Sequence, residues 1–462
     1  EVEPENGKDI VTTLDTRIQE IAENALMKMM LQSESQYGTC VVMETQTGQI
    51  KAMANLGQKP DGSYWEDYNY ALRATEPGST IKLATLLSVL SEGKTSINDM
   101  VEVGSTGNAF VGVRNVNDAE RAPKPVMTVR ECFAHSSNVG MGKIAYNTFA
   151  AQPDKFRSYL HQLKMDTLTG IDLRGEEKPR ITKVKKNTEG LHAMVTMSFG
   201  YALQVTPMQT LTLYNAIAND GKMMKPYLVN SIQSDGLLYR QIDPTVINEQ
   251  IVEPKVIKDA QNCMKAVVTE GTAKGIFKDA PYTVAGKTGT AHVADGKYSY
   301  DDGVYQASFV GYFPADKPQY TCIVVIKTKP HAPLHYGGQL SAPVFKEVAD
   351  RLYSMFIKDN VQYATATQND SINYVYAGAV KDVKQIMQTI GVKYRDSSAK
   401  KAQYAMVSKG DIQPVIRTQS VNGKTMPQLS GMTLKDAVLA CENMGLKVNV
   451  QGKGRVVIQS LL

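Results

Sequence analysis

Residues 282–294 read YTVAGKTGTAHVA, and two stretches of similar character follow, VYQASFVGYFPA at 304–315 and YTCIVVIKTK at 320–329. Each is short, rich in β-branched and aromatic residues, and bounded by turn residues. That pattern predicts three consecutive strands. Far upstream, GTCVVMETQTGQIKAMANLG (38–57) places two apolar runs around a glycine-containing turn and reads as a β-hairpin. Helical periodicity fills the interval. Strands early and late with helices between them predict an α+β fold built on a mainly antiparallel sheet.

The helices carry recognisable ends. DTRIQEIAENALMKMM (15–30) has apolar residues at Ile18, Ile21, Ala22, Ala25, Leu26 and Met29, with Thr16 and Gln19 spaced as a capping box. STIKLATLLSVLSEG (79–93) is a strongly apolar helix stopped by Gly93. MTVRECFAH (127–135) offers Thr128 and Glu131 as a capping box. PMQTLTLYNAIANDG (207–221) has proline at its start and glycine after its end, and APVFKEVADRLYSMF (342–356) is amphipathic. After Lys358 the character shifts. Polar stretches such as ATATQNDS and RDSSAKKAQ predict a linker with partial order over 361–424, holding one modest helical pattern, AVKDVKQIMQTIG (379–391). From 425 to 462 the sequence is compact again. Leu434, Ala437, Val438, Cys441 and Met444 form a helix stripe ending at Gly445, and LKVNV and RVVIQ alternate as two strands, a small αββ unit. The main domain is expected to span 1–360.

Composition narrows the function classes. The chain of 462 residues has 42% apolar and 21% charged residues, ordinary for a globular protein, and a formal net charge of +5 without dense Lys/Arg runs. Nucleic acid is set aside as a partner on that basis. Five cysteines are scattered, none in a CxxC pattern, and read as buried small hydrophobes. No apolar run reaches the roughly 18 residues of a membrane span, and no signal peptide is visible. The start EVEPENGKDIVTTLD lacks Met, which points to a processed fragment and leaves open an anchor ahead of it.

Within TEPGSTIKLA (75–84), Ser79 follows Pro77-Gly78 and Lys82 lies one helical turn on. Two readings compete. Ser79 can be a plain helix N-cap, because SxxK recurs at Ser91/Lys94, Ser397/Lys400 and Ser398/Lys401. It can also be a nucleophile with a base, since a hydroxyl needs an adjacent base and a helix N-terminus offers free N–H groups to a developing oxyanion. A lysine serves as base only when neutral, and burial or a second cation such as Lys287 lowers its pKa. Ser136 and Asn138 form an SxN pair, a pattern that recurs at Ser96/Asn98, and each alone reads as a loop residue.

In order, STIK, SSN and KTGT make the signature shared by penicillin-binding proteins and class A β-lactamases. The chain resembles the class B penicillin-binding transpeptidases more broadly, through ATEPGSTIK, SFGYALQVTPMQ, YNAIANDG, GTAKG, AGKTGTA and YGGQLSAPVF, over residues 9–358. The tail MPQLSGMTLKDA with GLKVNVQGKGRVVIQS resembles a PASTA module. The resemblance implies the penicillin-binding transpeptidase/serine β-lactamase-like fold: a five-stranded antiparallel sheet flanked by helices, with an all-helical subdomain. It implies a serine-type D,D-transpeptidase of the cell-division type that needs no cofactor.

The implied roles fall residue by residue. Ser79 attacks the D-Ala-D-Ala stem peptide, and Lys82 takes its proton. Ser136 relays a proton to the departing nitrogen. Asn138 holds the substrate amide and orients Lys82. Lys287 supplies positive potential, and Thr288 and Thr290 hold the terminal carboxylate beside Gly289. The backbone N–H groups of Ser79 and Thr290 form the oxyanion hole. Implied partners are stem peptides, β-lactams as covalent inhibitors, a membrane-embedded glycan polymerase and division proteins. The implied location is the periplasmic side of the inner membrane, at the septum.

The middle motif is Ser-Ser-Asn where the signature has Ser-Asp-Asn, and no E-x-x-L-N segment supplies a deacylating glutamate. That absence favours transfer to an amine over a D,D-carboxypeptidase or β-lactamase. A non-catalytic β-lactam sensor or cell-wall binder remains the alternative from another class. His331 and His335 are four apart, but Pro333 argues against a helix presenting both to zinc, so no metal is expected. His135 reads as structural, and the aromatic run Tyr64–Tyr70 as packing or a groove wall.

Overall fold

The computed structural model describes residues 7–234, 237–294, 296–357, 376–389, 391–400, 402, 404–408, 413–419, 428–442, 444 and 446–460. The chain divides into two units, residues 1–359 and 360–462.

The first unit is organised by one antiparallel sheet. Its strand order is Ala285–His292, Tyr305–Phe313, Tyr320–Lys327, Tyr37–Glu44, Ile50–Gln58 and Tyr64–Trp65. The five long strands are those expected, and the sixth is a two-residue pairing at the far edge, Gly57 with Trp65 and Gln58 with Tyr64. Strand Ala285–His292 is the other edge and carries KTGT. Successive residues of the central strands are buried, so both faces are covered. Helices Thr16–Ser33 and Gly337–Leu352 pack on the sheet and on each other, and the fully buried helix Pro207–Ala218 packs on three of its strands.

Helix ends follow local chemistry with one exception. Thr128 and Glu131 make the expected capping box, and so do Thr206 and Gln209 ahead of Pro207. At Thr16–Ser33 the cap is Asp15, whose carboxylate accepts from the N–H groups of Arg17 and Ile18. An ionised acceptor one residue earlier takes the place of Thr16. Gln19 is thereby free to clamp Met53, accepting from its N–H (2.8 Å) and donating to its carbonyl (3.3 Å).

The interval 95–280, expected to be mostly helical with long loops, also carries short strands. Helices Asn138–Phe149, Pro153–Gln162, Thr188–Met197 and Pro254–Thr269 are joined by short two-stranded ribbons. Met100–Glu102 pairs with Val126–Thr128, Asn108–Val111 with Arg114–Asn117, and Arg180–Ile181 with Leu203–Gln204. Long connections that press on a core must pair their backbone groups, and ribbons do so. Half of the aromatic run is packing: Tyr70 stacks on Tyr37 at 4.0 Å, and the Tyr64 hydroxyl donates to the Met30 and Ser35 carbonyls, while Trp65 and Tyr68 are exposed. All five cysteines are free and buried.

The second unit departs from expectation. Within the stretch read as a linker, Tyr376–Ala379, Tyr404–Ser408, Val415–Gln419 and Arg395–Ser397 form a four-stranded sheet, with helix Val380–Thr389 beside it. Val383, Met387, Ala405, Val407 and Ile416 make its core. Ala405 and Val407 face that core, and the alternate residues Tyr404 and Met406 of the same strand pack on the tail cluster, so few apolar residues cover both faces. In the tail, helix Leu434–Glu442 forms, but LKVNV and RVVIQ are not strands. Only the bridges Thr433–Arg455 and Ala377–Met432 are made. Val457 and Ile458 stay 80% and 87% exposed, while Leu446 and Val456 pack partly on the core around the tail helix. Tail residues Leu429, Met432, Ala437 and Cys441 share a core with Ala377 and Tyr404. The polar run ATATQNDS, Met426 and the helix stop at Gly445 lie outside the described residues.

Candidate active site

The nucleophile candidate sits on a turn rather than on the first residue of an α-helix. Gly78–Ile81 is a single 3₁₀ turn, and the α-helix Lys82–Ser91 follows directly. Gly78 has φ +56°, and its N–H donates to the Gly200 carbonyl (3.2 Å). The fit there is tight. A Cβ on Gly200, at φ +108°, would lie 2.0 Å from the Gly78 carbonyl oxygen. The motif SFGYALQ is therefore a backbone rest for the turn. The Tyr214 hydroxyl donates to the Thr80 carbonyl (2.8 Å), and Gln306 donates to the Thr75 hydroxyl and the Glu76 carbonyl. Sequence reading missed these anchors, because they come from 134 and 230 residues away.

Lys82 is completely buried beneath the turn. Its Nζ donates to Asn138 Oδ1 (2.7 Å), to Ser136 Oγ (3.2 Å) and to the Ser136 carbonyl. Burial pushes its pKa down to about 7, against an opposing pull from Asp118 and Cys132. Lys287 is also completely buried, and its Nζ donates to Ser136 Oγ (2.8 Å) and the Thr288 carbonyl (3.0 Å). Its pKa lies well below the ordinary lysine value, first through burial and then through the charge of Lys82. Of the two causes expected to lower Lys82, burial acts on Lys82 itself, and the repulsion between the two amines falls on Lys287. The Ser136 hydroxyl lies between the two amines, and Ser136 itself is in the left-handed region at φ +59°. A non-glycine residue held there is strained and persists only where its surroundings fix it.

Those surroundings include a residue that no motif flagged. Asp118 accepts from the Ser137 hydroxyl (2.8 Å) and the Val139 N–H (2.9 Å). Ser137 in turn caps helix Asn138–Phe149 by accepting from the Gly140 N–H (2.9 Å). Asn138 Nδ2 donates to the Asn117 carbonyl (2.8 Å), which directs Oδ1 at Lys82. Asp118 lies in a loop 18 residues before Ser136, so only folding makes it visible.

On the edge strand, Thr288 shares a hydroxyl–hydroxyl hydrogen bond with Thr272 of GTAKG (2.6 Å). The Thr290 hydroxyl accepts from the Gly337 N–H of YGGQ (3.1 Å). Gly289 faces inward: a Cβ there would lie 2.2 Å from Ser308 Oγ and 3.0 Å from Thr80. Its smallness lets the strand approach the serine turn. The structure brings all eight expected site residues, from Ser79 to Thr290, onto this turn, loop and edge strand. Ser79 is half-buried, and among the described residues its hydroxyl makes no hydrogen bond to Lys82. Catalytic hydrogen bonds are commonly long before substrate arrives. Among the described residues no group of three metal-ligating side chains occurs, and His335 stacks on Tyr305 at 4.4 Å.

Two buried lysines on one serine hydroxyl beside a turn-borne serine are the frame on which the comparisons bear. Residues 38–350 match the penicillin-binding protein transpeptidase domain. The chain belongs to the penicillin-binding protein transpeptidase family. Among transpeptidase relatives, it is 30% identical over 373 residues to "Probable peptidoglycan D,D-transpeptidase PbpC" of Pseudomonas aeruginosa, covering 79% of this chain and 62% of that one. It is 28% identical over 349 residues to "Peptidoglycan D,D-transpeptidase FtsI" of Buchnera aphidicola, covering 74% and 57%. Penicillin-binding protein 3 of Mycobacterium tuberculosis, complexed with aztreonam, superposes with TM-score 0.65 at 26% identity, covering 77% of this chain and 80% of that one. The fold is therefore that of the penicillin-binding transpeptidase domains. The chain spans about three-fifths of the length of these curated relatives.

Proposed function

We propose that the first unit is a peptidoglycan D,D-transpeptidase with Ser79 as its nucleophile, acting in septal wall synthesis. The observation that carries this reading is Lys82, fully buried, its pKa near 7, and held by Asn138 and Ser136 one turn after Ser79. At neutral pH a large share of Lys82 is a free amine and can take the Ser79 proton. Ser79 Oγ then attacks the penultimate D-alanine carbonyl. The bond to the terminal D-alanine nitrogen breaks, and Ser136, placed between the two lysines, passes a proton to that nitrogen. A substrate carboxylate at Thr288 and Thr290 raises the pKa of Lys287 and draws it into its charged form. An acceptor amine attacks the acyl carbon and gives up a proton to Lys82, the C–Oγ bond breaks, and Lys82 returns that proton to Ser79.

Transfer rather than hydrolysis is favoured by the state of Asp118. Its carboxylate braces the Ser136-Asn138 loop and is committed to the Ser137 hydroxyl and the Val139 N–H. A β-lactam acylating Ser79 then forms a long-lived adduct. We place the enzyme on the periplasmic face of the inner membrane, in line with its resemblance to division-type enzymes. Among the described residues no helix is long and apolar enough to cross a membrane.

The test is acylation. A fluorescent penicillin labels the wild-type protein, peptide mapping finds the adduct on Ser79, and Ser79→Ala removes it. Labelling that survives in Ser79→Ala overturns the assignment. Cross-linked product from lipid-linked substrate separates transpeptidase from sensor, and D-alanine release without that product indicates a carboxypeptidase.

A further inference from the structure

GTAKG (271–275) follows the helix Pro254–Thr269 and lies between two parts of the site. The Thr272 N–H donates to the carbonyl of Ala134 (3.2 Å), just ahead of Ser136 in the chain. The approach is close: a Cβ on Gly271 would lie 2.2 Å from the Ala134 oxygen. Arg130, on the same helix Val129–Ala134, pairs with Glu270 and donates from Nε to Asn262 Oδ1 (2.9 Å), which braces the turn. On its other side the Thr272 hydroxyl meets the Thr288 hydroxyl at 2.6 Å. Thr272 is thus tied to the chain entering the Ser136 loop by its backbone and to the KTGT strand by its side chain.

The protons on these two hydroxyls can be assigned. Among the described residues neither hydroxyl has another hydrogen-bond partner. One proton therefore lies in the bond between them, and the other points away. A carboxylate only accepts, so Thr288 holds one only by giving it its own proton. That leaves Thr272 as the donor in the shared bond. Thr290 has the same arrangement with less freedom. The Gly337 N–H donates to its oxygen (3.1 Å), and an N–H cannot accept, so the Thr290 proton is left for a ligand. Each threonine of KTGT thus has its oxygen filled from outside the strand. Accepting a hydrogen bond also makes a hydroxyl a stronger donor.

Resting on the transpeptidase reading, we propose that Thr272 is a positioning residue for recognition of the acyl donor's carboxylate. Its hydroxyl donates to Thr288 Oγ1 and turns the Thr288 proton toward the ligand. Its backbone bond to Ala134 holds that donor in register with Ser136, the residue that serves the leaving nitrogen. The donors selected in this way carry a free carboxylate on the carbon next to the leaving nitrogen. An ester at that place draws little from the aligned hydroxyl, because hydrogen bonds to a charged acceptor are the stronger ones.

The experiment follows acylation of Ser79 by benzylpenicillin and by its methyl ester, read by intact mass. The two compounds share the reacting ring and differ in charge at the carboxyl group. The readout is the ratio of their second-order rates, acid over ester, within each protein. Thr272→Val keeps the shape and removes the hydroxyl. It is expected to lower the ratio by about tenfold, the scale of one hydrogen bond to a charged group, through slower reaction of the acid. Thr272→Ser is expected to keep the wild-type ratio. A Thr272→Val ratio equal to that of wild type overturns the inference, including the case in which both compounds slow together. So does a Thr272→Ser ratio that falls as far as that of Thr272→Val, and so does a wild-type ratio near one. Thr272 is exposed, so both substitutions leave the core intact. Failure of either compound to acylate the wild-type protein at Ser79 overturns the transpeptidase reading instead.

Discussion

In the first unit Lys82 and Lys287 lie completely inside the protein, within hydrogen-bonding reach of one serine hydroxyl. In the second unit every described lysine and arginine keeps some exposure, and Lys384 meets Asp396 at the surface. The difference tracks the cores. One continuous hydrophobic cluster runs through the first unit, from Ile18 to Ile357, whereas the second has two small clusters. Desolvating an ammonium costs several kcal/mol, a large fraction of a domain's net stability. Only the larger core can offset that cost twice. A base of depressed pKa is therefore something the first unit can maintain and the second cannot.

This contrast can be broken at several points. Lys82→Met is the most severe test short of removing Ser79. The protein should fold, since the apolar replacement suits the site, while acylation by penicillin falls by about 10²–10⁴-fold, the range of a lost general base. A rate within a few-fold of wild type would separate burial from function. Gly200→Ala attacks the scaffold instead. Its Cβ would press on the Gly78 carbonyl at a positive φ, so thermal unfolding should reveal a loss of at least the ~1–3 kcal/mol of strained backbone. Acylation should fall with it.

Asp118→Asn is subtler and has a sign. Below its pKa Lys82 is protonated and cannot accept a proton, so the acylation rate should fall as pH drops through about 7. The charge of Asp118 favours protonated Lys82, and its removal moves that limb to lower pH. The same change weakens hydrogen bonds to Ser137 and Val139, at a cost of roughly 1.5–3 kcal/mol in stability. A pH–rate profile with an unmoved limb would remove Asp118 from the electrostatics of the site. The smallest effect is expected from Val383→Ala, in the core of the second unit. Deleting two buried methyl groups costs about 2 kcal/mol there. The penicillin acylation rate should not change, and a change would show the units to be coupled.

Much of this was readable in the chain. Apolar runs rich in β-branched and aromatic residues between turn signals at 282–329 and 38–57 marked the five long strands, because strands buried on both faces carry such residues at nearly every position. STIK, SSN and KTGT named the eight candidate site residues, because that chemistry demands a fixed local spacing of serine to lysine and serine to asparagine. Where a pattern had no partner to bury it, reading failed. LKVNV and RVVIQ alternate like strands but stay open, and the polar stretch called a linker folds into a sheet around five apolar residues.

The sequence by itself determined the sheet, the family resemblance and which side chains could do acyl transfer. Tertiary structure alone decided that Lys82 is fully buried with a lowered pKa, that Ser136 stands between two amines, and that Asp118 holds the loop between them. The physical reason is the same in each case. A pKa, a strained φ or an unpaired charge depends on what surrounds a residue from distant parts of the chain, and local sequence carries no record of those neighbours.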